Sequence, residues 1–403
     1  MTLDEFKNIY WMEWIHRLWG RAIGLTFVLP ALYFVARKRV SKPMMWRLAG
    51  ISGLIGFQGF LGWWMVKSGL KDDLFAPGSH PRVSQYRLTA HLGAAFACYL
   101  AMLWNGLSIL RTNKLLSMSP DTATSTLYSL RNPVLKPFKI SVGLLAALVF
   151  TTAMSGGLVA GLDAGLIYNE FPYMGLGLTP PKSELFDTFY CRDPEHKDLY
   201  WRNFLENPSL VQLDHRILAM TTFTAVMALW AYSRYSPAMV NFLPRAAKKG
   251  VHGVVGFAWL QVILGISTLL YLVPLPLASA HQAGSLALLT WTVVLGSRVW
   301  YPKAAARILA QRMGMPAAGA GALKGADHVF PGIGKTTPGG IALASAMPVV
   351  TAAGLMTTRV MAQNRAGSDP TEEEQSTTGQ TLDIEREKQA YLTKQKLISG
   401  RIQ

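Results

Sequence analysis

Apolar stretches of about 20 residues recur along this chain, separated by polar, charged or proline-containing segments. That is the length an α-helix needs to cross a hydrocarbon core of roughly 30 Å. The pattern predicts seven membrane spans, at about Leu18–Ala36, Leu48–Val66, Leu88–Leu110, Ile140–Ala160, Leu213–Tyr232, Val251–Val273 and Leu277–Leu295. Residues 1–12 read as the polar approach to the first span, with no signal-peptide or Arg/Ser-rich transit-peptide pattern. A loop of about 50 residues separates the fourth span from the fifth.

Beyond Arg298 the character changes. Residues 301–337 are rich in Ala, Gly, Lys and Arg and read as a flexible basic connector. Residues 340–356 are apolar but short, with Pro348 near the middle, and an eighth span there is left open. The polar tail 365–403 includes Thr381–Ile398, which can form a surface helix. The expected organisation is an N-terminal half-bundle at 1–136, a C-terminal half-bundle at 137–300, and the connector and tail at 301–403.

Composition agrees with this plan. Half of the 403 residues are hydrophobic and only 15% are charged. The fold class is an all-α polytopic membrane protein; a β-barrel would show short alternating segments instead. The net charge of +16 does not indicate nucleic-acid binding, because the basic residues sit in loops between spans. Arg37, Lys38, Arg39, Lys42 and Arg47 follow the first span; Arg111, Lys114, Arg131, Lys136 and Lys139 follow the third; Arg234, Arg245, Lys248 and Lys249 follow the fifth. The opposite loops are mixed or neutral, so the basic set marks the inner face of the bilayer. The two cysteines, Cys98 in a span and Cys191 in a loop, imply neither a disulfide framework nor a cysteine metal site.

Four histidines stand at the outer ends of spans: His16, His91, His215 and His281. Ionisable side chains at membrane depth point to function. These four also fall in a repeat. His16-Arg17 aligns with His215-Arg216, Gln58-Gly59-Phe60-Leu61-Gly62 with Gln261-Val262-Ile263-Leu264-Gly265, and His91-Leu92-Gly93 with His281-Gln282-Ala283-Gly284. Spans one to three thus resemble spans five to seven. Span four has no counterpart ahead of span one, and the expectation is two pseudo-symmetric four-helix halves of which this chain lacks the first helix.

Neutral imidazoles are good iron ligands, and heme iron accepts two axial ones. His16 with His91, and His215 with His281, are the expected couples. The remaining histidines, His80, His196, His252 and His328, lie in loops, the tail or an inner helix end and read as structural. Arg17, Arg87 and Arg216 flank the ligand positions; they either pair with heme propionates or reach toward lipid headgroups. Glu13 lies three residues before His16, where a carboxylate can accept a proton beside a heme edge or simply favour a helix N-terminus. Gln212 holds the same offset in the second half, a contrast that places chemistry at the first site alone. Asp163, after the glycine-rich end of span four, is either a polar cap or part of a pocket wall.

The stretches MEWIHRLWGR, FQGFLGWWMVKSGL, PRVSQYRLTAHLG, GGLVAGLDAGLIYNEFPYMG, LDHRILA and PLASAHQAGSLALLT together resemble the heme A synthase family, in its mitochondrial branch, over residues 5 to about 300. The resemblance implies an oxidoreductase that converts heme O to heme A for cytochrome c oxidase assembly by oxidising the C8 methyl to a formyl group. It implies that His16 and His91 face the substrate heme, that His215 and His281 hold a heme b relaying electrons, and that Glu13 takes part in the oxidation. It also implies the mitochondrial inner membrane, with the histidines toward the intermembrane space, and as partners a ferredoxin-type electron donor and the heme O synthase; homo-oligomerisation is left open. Two axial histidines leave iron no free position, which fits electron relay better than oxygen activation. Either one histidine dissociates during turnover, or the methyl is oxidised by electron removal and water attack. Without chemistry on the heme, the same residues would make a diheme electron-transfer cytochrome or a heme-binding assembly scaffold.

Overall fold

In the computed structural model, residues 3–70 and 82–313 are described. Twelve helices occur among them: α1 Leu3–Ala36, α2 Lys42–Ser68, α3 Gln85–Leu116, α4 Pro120–Arg131, α5 Lys136–Gly161, α6 Lys182–Leu185, α7 Leu199–Glu206, α8 Pro208–Tyr235, α9 Pro237–Phe242, α10 Arg245–Leu270, α11 Leu275–Val299 and α12 Lys303–Arg312. No strand occurs among the described residues. The apolar 340–356 segment and the 381–398 helix expected from sequence lie outside them.

Prolines set many of the helix starts. α2, α4, α5, α8, α9 and α11 carry one in the first two positions, where the missing N–H costs nothing. Asn207 caps α8 by accepting from the Ser209 backbone N–H at 3.0 Å. Among the described residues five segments are both long and apolar enough to cross a membrane: Phe6–Ala36, Lys42–Ser68, Gln85–Leu116, Pro133–Gly161 and Arg245–Leu270. The chain is an all-α polytopic membrane protein. The other two expected spans form α8 and α11, of 28 and 25 residues. They are long enough to cross but fall outside the five, and they carry His215, Arg216 and His281.

Residues 1–19 fall in one compact unit and Gly20–Ile333 in another, and α1 runs through the boundary. Helix α1 begins at Leu3, well before the polar approach read from the sequence ends. In the larger unit the core lies among α5, α8, α10 and α11, with Phe96 of α3 added. Phe138, Val142 and Val149 of α5 meet Val226 and Leu229 of α8, Val251 and Val254 of α10, and Leu289 and Leu295 of α11. In a bilayer such packing relies on close backbone approach and interhelical hydrogen bonds. Gly253 of α10 lies under the Trp291 indole, which leaves no room for a Cβ. Trp291 Nε1 donates to Gly250 O at 3.0 Å. Thr152 of α5 and Thr222 of α8 share a 2.8 Å hydroxyl contact.

One basic residue closes a helix C-terminus. Arg111 of α3 donates to the carbonyls of Ser297, Trp300 (2.6 Å) and Arg298 (3.5 Å) at the end of α11. Those carbonyls have no partner within their own helix. The start of the expected flexible connector is instead helical. α12 lays Ala305, Ala306 and Leu309 against Leu115 of α3 and Ala123 and Leu127 of α4. Its small side chains hide an amphipathic stripe in what reads as low-complexity sequence.

Candidate functional site

His215 of α8 and His281 of α11 face each other, with ring centroids 6.5 Å apart and ring planes at 87°. Each ring is backed by a glycine on a neighbouring helix. A Cβ on Gly156 of α5 would stand 3.2 Å from His215 Cε1, and one on Gly265 of α10 would stand 3.0 Å from His281 Cε1. Any larger residue at either position pushes its ring toward the gap. Ser155 Oγ lies 2.7 Å from His215 Nδ1. His281 Nδ1 is buried and has no hydrogen-bond partner among the described residues.

The spacing admits one metal ion. Two metal–imidazole bonds of about 2 Å each, added to the roughly 1 Å from each nitrogen to its ring centre, put axial imidazole centroids about 6 Å apart. The observed separation is close to that. A pair of neutral imidazoles with glycine backing suits a flat, iron-centred macrocycle held edge-on between helices. Among the described residues no group of three or more His, Cys, Asp or Glu side chains gathers to hold a metal, so the donor set here is two imidazoles. Imidazole nitrogen is a donor type that suits heme iron.

His91 of α3 repeats the second half's local arrangement. A Cβ on Gly62 of α2 would stand 3.3 Å from His91 Cε1, as Gly265 does for His281. Gln58 Nε2 donates to the His91 carbonyl at 3.2 Å. The aligned Gln-x-x-x-Gly segments therefore have a physical purpose: the glycine makes room for an imidazole on the next helix. His16, Glu13 and Arg17 belong to the unit of residues 1–19, and His91 to the other. Within its own unit α1 is helical from Leu3, so Glu13 and His16, three residues apart, share a face. The Glu13 carboxylate is ion-paired with Arg17, four residues on.

Each of the three candidate arginines has a protein partner. Arg17 holds Glu13. Arg87 Nη1 donates to Trp64 O at 2.7 Å, and its guanidinium lies 4.3 Å from the centre of the Trp64 ring. Together with Trp63, Lys67 and Leu70 they line an open groove of about 500 Å³. Arg216 donates to four carbonyls of the outer loop, those of Tyr168 (3.0 Å), Glu170 (2.9 Å), Pro172 (3.4 Å) and Tyr173 (3.1 Å). Gln212 Nε2 also donates to Tyr168 O, at 3.1 Å, and Asn169 Nδ2 to Leu269 O of α10 at 3.1 Å. The turn at 168–173 is thus clamped to α8 and α10 beside the histidine couple.

The outer loop between α5 and α8 is ordered by polar side chains. Glu184 accepts from Tyr168 Oη at 2.7 Å and Ser209 Oγ at 3.1 Å. Asp198 accepts from the backbone N–H groups of Arg192 (3.0 Å) and Asp193 (3.4 Å) and from the Arg202 guanidinium. Burial pushes the Asp198 carboxyl up, but these donors outweigh it and hold it at about 2. Asp163 forms an ion pair with Arg82 at 2.6 Å. Ser155 and the Arg216 clamp were missed by sequence reasoning, whereas Gly156 opens the glycine-rich end of span four that the sequence marks for close approach. A helical serine gives no periodic signal, and an arginine's choice of backbone carbonyls depends on a loop fold.

Comparison with known proteins gives the chain its relatives. The family model COX15-CtaA, described as cytochrome oxidase assembly protein, matches residues 1–293. The chain is 53% identical over 309 residues to Heme A synthase COX15 of Saccharomyces cerevisiae, covering 76% of this chain and 63% of the relative. It is 51% identical over 302 residues to the Heme A synthase-mitochondrial ferredoxin fusion protein of Schizosaccharomyces pombe, covering 74% and 48%. To Heme A synthase COX15 of Homo sapiens it is 47% identical over 292 residues, covering 72% and 63%. The chain therefore spans about half to just under two thirds of the length of these relatives. No solved structure matches.

Proposed function

Because the chain belongs to the COX15-CtaA family of cytochrome oxidase assembly proteins, we propose that it is a heme A synthase of the mitochondrial inner membrane, converting heme O to heme A for cytochrome c oxidase. The close, edge-to-face approach of the His215 and His281 rings, with centroids 6.5 Å apart, carries this reading. In it, His215 and His281 would hold a resident heme b, which would supply one-electron transfer when bound. His16 and His91 face the heme O substrate. Converting the C8 methyl to a formyl group is a four-electron oxidation: two hydroxylations insert two oxygen atoms and one leaves as water. The oxygens come either from dioxygen, with the donor's electrons reducing its second atom to water, or from two water molecules, with the four electrons passing to an external acceptor.

The chain's own residues divide the work. Glu13 accepts the protons that leave the methyl carbon and its hydroxyl, and its ion pair with Arg17 orients the carboxylate. Gly62, Gly156 and Gly265 give three imidazoles room to lie in the gaps between helices. Arg216 and Gln212 hold the 168–173 turn beside the second couple, which limits water there. The two halves are read as pseudo-symmetric four-helix plans, with α8 and α11 as the remaining spans and the histidines toward the intermembrane space. The fusion of a relative to a mitochondrial ferredoxin supports a ferredoxin-type electron donor, and the substrate's origin implies a heme O synthase as supplier.

Pyridine-hemochrome spectra of purified wild type, His16→Ala and His215→Ala test this. Wild type should yield heme b together with heme O or heme A. His215→Ala should lose the heme b component, and His16→Ala should lose heme O and heme A and keep heme b. Heme b alone in the wild type, at both sites, would instead make the protein an electron-transfer cytochrome.

A further inference from the structure

The protons around Ser155 can be assigned by counting. Its Oγ lies 2.8 Å from the Thr152 carbonyl oxygen and 2.7 Å from His215 Nδ1. Both contacts are hydrogen-bond lengths, and each requires a proton between the two heavy atoms. A serine hydroxyl has one proton and a carbonyl has none. The hydroxyl proton must therefore lie toward Thr152, the back-bonding that helical serines favour. The proton of the other contact must come from the imidazole. His215 then carries its proton on Nδ1 and its free lone pair on Nε2.

We propose that Ser155 is a positioning residue that holds His215 in the Nδ1–H tautomer, with Nε2 available to a metal. This rests on the reading of His215 as an iron ligand. Adjacent positions of one turn of α5 supply both what the ring needs: Ser155 grips Nδ1, and Gly156 leaves space beside Cε1. His281 has no such grip, since its buried Nδ1 has no partner among the described residues. The two imidazoles are therefore unequal. A hydrogen bond from Nδ1–H raises the electron-donating strength of the ligating nitrogen, so His215 is the stronger and better-oriented donor of the couple. A stronger donor stabilises ferric over ferrous iron, and losing the Ser155 acceptor raises the midpoint potential.

The test uses the full chain purified with its pigments, as wild type, Ser155→Ala, Ser155→Thr and His215→Ala. Heme content, midpoint potential by optical redox titration and the low-spin ferric EPR signal are read for each. The expected result is that Ser155→Ala keeps the wild-type heme b content, shifts the heme b midpoint upward and moves the g-values of one low-spin signal. Ser155→Thr retains the hydroxyl and should match wild type in both. His215→Ala should lose heme b. A Ser155→Ala protein with unchanged potential and EPR overturns the proposal, while loss of heme b in His215→Ala leaves the ligand reading standing. Heme b kept by His215→Ala would instead remove the ligand reading itself. If Ser155→Ala does not accumulate, Ser155→Cys, with a weaker acceptor, should show a smaller upward shift, and no shift there overturns the proposal equally.

Discussion

The same dipeptide, His-Arg, occurs on α1 and on α8, and its surroundings differ at every point. His16-Arg17 sits on an exposed helix whose only buried residue among those described is Ala31. His215-Arg216 sits on a helix that buries Ser209, Leu210, Val211, Gln212, Leu213, Thr222, Val226, Leu229 and Ser233. Arg17 pairs with a carboxylate whose side chain is 44% exposed. Arg216 satisfies four backbone carbonyls of a folded loop. Three residues before the histidine, α1 has Glu13, which is charged and accessible, and α8 has Gln212, 3% exposed and donating to a carbonyl. The same dipeptide thus sits in two different local settings, one beside an exposed carboxylate and one beside a buried amide.

The sharpest way to break this contrast is Glu13→Gln, which keeps shape and removes the proton acceptor. Heme A formation should fall by about 100-fold or more, with the heme b spectrum unchanged; wild-type conversion in a pigment time course would remove Glu13 from the chemistry. Arg216→Ala should be next. It leaves several carbonyls without a charged donor, at about 1.5–3 kcal/mol for each bond that water does not replace. Thermal unfolding should drop clearly, and the 168–173 turn should become cleavable by added protease. Gln212→Glu buries a carboxylate against the Tyr168 carbonyl and should destabilise by about 1–3 kcal/mol, a cost that denaturation in mild detergent would reveal. Arg17→Ala loses an exposed ion pair worth at most about 1 kcal/mol, so its thermal midpoint should stay near wild type; a loss equal to that of Arg216→Ala would erase the distinction drawn here.

The smallest effect concerns pH. Asp198 is held at about 2 against an ordinary 3.8, so the folded state binds its proton less readily than the unfolded chain does. The stability it adds to the outer loop is full above roughly pH 4 and is lost as pH falls through about 2. Asp198→Asn should flatten the loop's acid response in that window, measurable by protease susceptibility against pH.

Much of this architecture was readable in advance, because apolar runs of bilayer length leave few alternatives. The nearness of His215 and His281 was also readable, since a repeat that aligns His with His and Gln-x-x-x-Gly with Gln-x-x-x-Gly pairs each histidine with a glycine on the helix before it. What escaped has physical causes. Helix α1 starts earlier than the hydropathy run, because Phe6, Tyr10, Trp11 and Trp14 are interleaved with charged residues that interrupt the run without ending the helix. The order of the outer loop comes from pairs such as Tyr168–Glu184 and Arg216–Tyr168, 16 and 48 positions apart, which no local period records. Ser155 was invisible because its partner lies 60 residues away on another helix.

Arg111 has a mechanical consequence. By gripping the last carbonyls of α11 from α3, it ties together the C-terminal ends of the two helices that bear His91 and His281 near their N-termini. Tyr99 and Thr290 add a second rivet midway, 2.8 Å apart. With hydrogen bonds at two levels, the axial register of α3 against α11 is pinned, so His91 and His281 keep a fixed relative height.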